Sequence, residues 1–142
     1  MENAILATAP VIAGWDIGGA HLKAALVQNQ QLIDVQQLAC PLWQDLSYLQ
    51  NALDEILQHW SATSLALNPS RHVITMTGEL ADLFPDRTTG VKSLIDTMLK
   101  RCPDVPVEVF AGRDDLISTD QSAKHINEIA SANWLATVYF AA

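Results

Sequence analysis

A mixed α/β sheet is the fold class this sequence predicts, and three observations carry it. Three extended segments come first, joined only by short polar or glycine turns. Two later apolar runs are each preceded by a stretch with helical spacing. A further helical pattern closes the chain. Strands joined by tight turns must run antiparallel. A strand reached through a helix lies parallel to its neighbour by a right-handed crossover. The expected order is therefore βββ-α-β-α-β-α.

Each element has its own warrant. Val11–Ile17 is a short run with β-branched residues, ending at the two-residue turn signal Gly18-Gly19. Residues 21–28 alternate, with Leu22, Ala24 and Leu26 on one side and His21, Lys23 and Ala25 on the other. Asn29-Gln30 makes a polar turn, and residues 31–38 resume an extended pattern. Leu46, Leu49, Leu53, Ile56, Leu57 and Trp60 then fall on one helical face, with Asp45 placed to cap its start. Each such side chain gains ~1.5–3 kcal/mol on burial, so this face needs a sheet beneath it.

After a proline-containing loop over 61–70, residues 72–77 form a strand ending at Gly78. Thr88 or Thr89 is expected to cap a second helix with the stripe Val91, Leu94, Ile95, Met98 and Leu99. Lys100-Arg101 suit the negative end of that helix. Residues 107–111 read as a fifth strand and 112–118 as a loop. From about Thr119 a third helix runs to the chain end, burying Ala123, Ile126, Ile129, Ala130 and Trp134. The sum is a ribonuclease-H-like lobe over residues 11–142, with a mixed five-stranded sheet and helices on its faces, behind a tail at 1–10.

Composition narrows the partners. With 142 residues the chain is about one domain, and a net charge of −8 with 8 Lys and Arg argues against nucleic acid and anionic membranes. Cys40 and Cys102 are far apart and form no CxxC pair, which fits a reducing, cytoplasmic setting. The apolar stretch at 4–13 follows Glu2 instead of a basic region, so it reads as a tail plus first strand, not a signal peptide. No run approaches the ~18 apolar residues of a membrane span. P-loop, GxGxxG, HExxH and GxSxG patterns are all absent.

Two places suggest chemistry. In the first hairpin, Gly18, Gly19, Ala20 and His21 leave backbone N–H groups free to approach an anion. Asp16, at the end of strand 1, suits Mg²⁺, and Lys23 offers an ammonium to a phosphate oxygen. After strand 4, Glu79 and Asp82 are three apart, so a helical turn would let them share a cation or an ammonium group. Arg87, near a helix start, would hold a second anionic group. Arg113, Asp114 and Asp115 read as an ordinary solvated loop, and His21, His59, His72 and His125 show no ligand spacing.

The run GWDIGGAHLKAA at 14–25 resembles the first phosphate motif of the acetate kinase/sugar kinase/heat-shock chaperone/actin superfamily. MTGELAD at 76–82, DRTTGV at 86–91 and ASANWLAT at 130–137 are similar to its hydantoinase/oxoprolinase-like branch, tied to tetrahydromethanopterin-linked one-carbon transfer. That branch includes the methanofuran-biosynthesis synthase. The resemblance implies a transferase that joins an aminomethylfuran diphosphate to glutamyl-tyramine and expels pyrophosphate. Asp16, Gly18, Gly19 and Lys23 would then surround the diphosphate and Mg²⁺, with Glu79 and Asp82 facing the amine or the phenol. An ATP-dependent kinase or oxoprolinase is the alternative within the superfamily, and a non-catalytic lobe binding a partner through its last helix is the alternative outside it. Relatives continue into a second phosphate motif and a second lobe, so this chain is expected to be inactive alone.

Overall fold

The computed structural model describes residues 9–63 and 67–141. Most of the tail expected at 1–10 lies outside them. The sheet has six strands in the order β3-β2-β1-β4-β5-β6. β1 (Val11–Ile17), β2 (His21–Gln28) and β3 (Gln31–Ala39) form the antiparallel meander. β4 (Arg71–Met76) lies parallel to β1, and β5 (Val107–Phe110) parallel to β4. Asn29 and Gln30 both take positive φ, 51° and 62°, the pattern a two-residue type I′ hairpin needs. This meander and two parallel crossovers are the ribonuclease-H-like layout.

One face of the sheet is closed. α1 (Ser47–Ala62) buries Leu49, Ala52, Leu53, Ile56 and Trp60, and α2 (Arg87–Arg101) buries Val91, Leu94, Ile95 and Met98. They meet Ala13, Trp15, Ile17, Leu22, Ala24, Leu26, Ile74 and Met76, the inward residues of three strands, β1, β2 and β4. Two aromatic groups hold polar partners within this core. The Trp15 indole N–H donates to His72 Nδ1 at 2.9 Å, and Trp60 donates to Asp34 at 2.7 Å. Burial lowers the His72 pKa from 6.5 to about 4, so the ring is neutral and Nδ1 is the acceptor.

Several expectations need correction. Asp86, not Thr88 or Thr89, caps α2: its carboxylate accepts the Thr89 amide at 2.7 Å, because the helix starts at Arg87. Leu99 of the expected stripe is exposed. Residues 112–118 are not a plain loop, since Leu116–Ser118 pair with β5 as an edge strand, β6. The C-terminal third is broken. A 3₁₀ turn (Thr119–Lys124) leads into a short α3 (Ile126–Ile129), and α4 (Asn133–Ala141) follows. Ser131, at φ 54°, interrupts the run between them, and this residue conformation is incompatible with a continuing right-handed helix. Ile129 and Ala130 are buried as expected, but Trp134 is 63% exposed and Ala123 is exposed. Among the described residues no helix is long and apolar enough to cross a membrane.

Candidate phosphate and metal site

The sheet's other face carries the polar residues of the first hairpin. Antiparallel register sets Asp16 opposite Lys23, and parallel register sets Asp16 opposite Thr75. All three point to the face that α1 and α2 leave open, because strand side chains alternate and Trp15, Ile17 and Ile74 point inward. Lys23 Nζ lies 3.8 Å from Asp16 Oδ2. That pair is partly exposed and contributes only ~0–1 kcal/mol. The other Asp16 oxygen, Oδ1, and Thr75 Oγ1 are both buried, and neither has a hydrogen-bond partner among the described residues. An unpaired buried oxygen costs on the order of 1–3 kcal/mol. Two of them side by side mark a place where a ligand supplies the missing contacts.

The hairpin loop 18–20 is anchored by its carbonyls. Gly19 and Ala20 carbonyls accept the amides of Leu42 and Cys40, at 3.1 and 2.7 Å. Gly18 N–H donates to the His21 carbonyl at 3.0 Å, whereas no acceptor meets the Gly19 or Ala20 amide among the described residues. Neither Gly18 nor Gly19 has positive φ. What requires glycine at 18 is a close approach, since a Cβ there would sit 3.0 Å from the His21 carbonyl oxygen. A Cβ on Gly19 would face open space, so side-chain-free access is what that residue provides.

The loop after β4 is clamped to the same hairpin. Thr77 N–H donates to the Ile17 carbonyl at 3.0 Å. A Cβ on Gly78 would lie 2.8 Å from Leu42 Cδ1 and 3.1 Å from Ile17 O. Glu79 follows, only 2% exposed. Its Oε1 accepts the Ser131 hydroxyl at 2.6 Å, while Oε2 is buried without a partner among the described residues. A Cβ on Gly90 would come within 2.9 Å of Glu79 Cβ, so that glycine lets α2 press against the acid. Gly90 and Ser131 both shape the surroundings of Glu79, and only the packed structure reveals it.

The pairing expected of Glu79 with Asp82 does not form. The 3₁₀ turn ends at Leu80 and Ala81 is extended, so the three-residue spacing no longer puts them on one side; Asp82 is exposed. Arg87 opens α2, exposed, and joins no ion pair among the described residues. His21 is exposed at the start of β2, on the Lys23 side of the strand.

A cluster that local spacing did not show lies near the sheet's far edge. His125 Nδ1 is 3.1 Å from Asp114 Oδ2, and with Glu128 these groups place ligand atoms within 4.8 Å of one another. The fold across residues 114 to 128 draws the three side chains together, and the His125–Asp114 contact joins two of them. Cys40 and Cys102 are free and buried, and burial raises both thiols to a pKa of about 11, which removes them as nucleophiles at neutral pH.

Comparison with known proteins adds one sequence relative. The chain is 26% identical over 132 residues to the (4-{4-[2-(gamma-L-glutamylamino)ethyl]phenoxymethyl}furan-2-yl)methanamine synthase of Methanocaldococcus jannaschii. That match takes in 93% of this chain and 37% of the relative's length. No family model matches. Among solved structures, Thermus thermophilus RuvC bound to a Holliday junction superposes with a TM-score of 0.47 at 14% identity, covering 92% of this chain and 96% of that one. An Aquifex aeolicus member of the Ppx/GppA family gives 0.42 at 16% identity, covering 70% of this chain and 34% of that one.

Proposed function

We propose that this chain forms the phosphate- and metal-binding lobe of a transferase in methanofuran-type one-carbon cofactor biosynthesis. In that reading a diphosphate substrate binds with Mg²⁺ and pyrophosphate is displaced. The observation that carries it is the unpartnered Asp16 Oδ1, set between Lys23 and an equally unpartnered Thr75 hydroxyl at the mouth of a hairpin with open amides. The relative's printed product, a furan joined to a phenol through an ether, supports the substrate class.

The donor set fits Mg²⁺, an ion held by one or two carboxylates that otherwise keeps its waters. Asp16 would hold it, with Thr75 beside, and its bound charge would offset that of the diphosphate. The Gly19 and Ala20 amides are free to donate to phosphate oxygens, and Lys23 to stabilise negative charge gathering on the departing pyrophosphate. In the transfer, the carbon–oxygen bond to the diphosphate breaks, the phenol oxygen bonds to that carbon, and the phenol proton leaves. Glu79, with one oxygen fixed by Ser131 and one unpaired, is the carboxylate available to the acceptor. Asp82 and Arg87, both exposed, have weaker claims.

Titration calorimetry with Mg²⁺ and a furanylmethyl diphosphate tests this. Binding is expected for the native chain and lost in Asp16→Asn. Preference for Mg-ATP over the diphosphate would move the chain to the ATP-dependent enzymes, and no binding of either would refute the site.

A further inference from the structure

The turn after β5 brings together three side chains that the phosphate reading does not use. Gly112–Asp114 forms a 3₁₀ turn, closed by the Asp114 N–H on the Ala111 carbonyl at 3.2 Å and the Ala111 N–H on the Asp115 carbonyl at 2.7 Å. It lies directly on α3, since a Cβ on Gly112 would come 3.4 Å from the Glu128 carbonyl oxygen. On the α3 side, the Glu128 N–H donates to the His125 carbonyl at 3.1 Å, closing the turn that carries both side chains. Buried Ile129 and Ala130 fix that turn to the core.

We infer that Asp114, His125 and Glu128 form a site for one divalent transition-metal ion, separate from the Asp16 hairpin. β5 lies two strands from β1, about 10 Å across the sheet. His125 Nδ1 and Asp114 Oδ2 stand 3.1 Å apart. Atoms bonded to one ion at about 2.0–2.2 Å are roughly 3–3.5 Å from each other, so this pair already has ligand spacing. Glu128 offers an oxygen within 4.8 Å of both. It is exposed and joins no ion pair among the described residues, so rotation of its side chain closes the remaining gap. The imidazole selects the ion, because Zn²⁺ and its transition-metal neighbours accept nitrogen where Mg²⁺ and Ca²⁺ take oxygen. Two carboxylates balance its two charges. Three protein ligands leave coordination positions open. Asp114 and Glu128 also border a cavity of about 410 Å³, lined in part by Arg113, Asn127 and Trp134. The open positions therefore face a space that admits a small molecule, and Arg113 favours one with an anionic oxygen.

The test titrates Zn²⁺ into the full chain by calorimetry, with Mg²⁺ in excess to occupy the hairpin carboxylate. One Zn²⁺ per chain is expected to bind. His125→Ala should weaken that binding roughly tenfold or more, because even groups one step removed from a metal are worth about 10–100-fold. Glu128→Gln, nearly isosteric and at an exposed position, should do the same and serves if His125→Ala fails to fold. Asp16→Asn should leave Zn²⁺ binding unchanged, so this site and the phosphate reading fail independently. Absence of Zn²⁺ binding leaves only a His125–Asp114 ion pair and overturns the inference. Binding that survives Glu128→Gln marks a lone surface imidazole and overturns it as well. Loss in Asp16→Asn with retention in His125→Ala puts the ion at the hairpin, which also sinks the proposal.

Discussion

The two faces of the sheet obey different rules. On the closed face, Trp15, Ile17, Ile74 and Met76 meet two long helices and leave almost no exposed area; even its histidine is satisfied by an indole. On the open face, one residue along each strand, Gly14, Asp16, Thr75 and Val73 border a cavity, and two polar oxygens lack partners. The same strands thus carry stability on one side and binding capacity on the other. The alternation of a strand lets one backbone serve both, because neighbouring residues never share an environment.

That contrast can be broken by substitution. The largest effect belongs to the closed face: Ile56→Ala or Leu53→Ala should lose ~2–5 kcal/mol in urea melts, whereas Val35→Ala on the open face should lose well under that. Equal losses would erase the distinction. Next is pH. Between pH 6.5 and about 4 the unfolded chain binds a proton at His72 that the folded chain refuses. Stability therefore rises with pH through that window, and falls by about 3 kcal/mol as pH drops from 7 to 4. Subtracting the pH profile of His72→Gln isolates this contribution. A parallel profile would show that His72 is not shielded.

Smaller effects sharpen the picture at the site. Asp86→Ala should cost about 1 kcal/mol by losing the α2 cap, read from the thermal midpoint. Lys23→Ala should change stability by less than ~1 kcal/mol while weakening pyrophosphate binding measured by calorimetry. A stability loss as large as that of the core variants would mean the Lys23–Asp16 pair is structural.

Much of this was legible in the residues and some was not. The hairpin was readable because its parts are adjacent: Asp16, Gly18, Gly19 and Lys23 lie within eight positions, and strand pairing of neighbours leaves one outcome for their facing. Thr75 was missed, since its place beside Asp16 depends on a crossover through α1 that spacing does not encode. Ser131 was missed for the same reason, lying 52 residues from the acid it holds. The single C-terminal helix failed because the pattern Ile126, Ile129, Ala130, Trp134 is helical in period, but the backbone reverses hand at Ser131. β6 is three residues long, too short for alternation to register.

By itself the sequence determined the meander, the two amphipathic helices and the facing of Asp16 and Lys23, because each follows from contacts between near neighbours or from the period of a single element. Tertiary structure alone decided which buried oxygens went unpaired, that Glu79 would be enclosed and held by Ser131, and that Gly14 would floor a cavity. Those depend on strands and loops far apart in the chain arriving at one edge of the sheet, where packing density and not local pattern sets what each group touches.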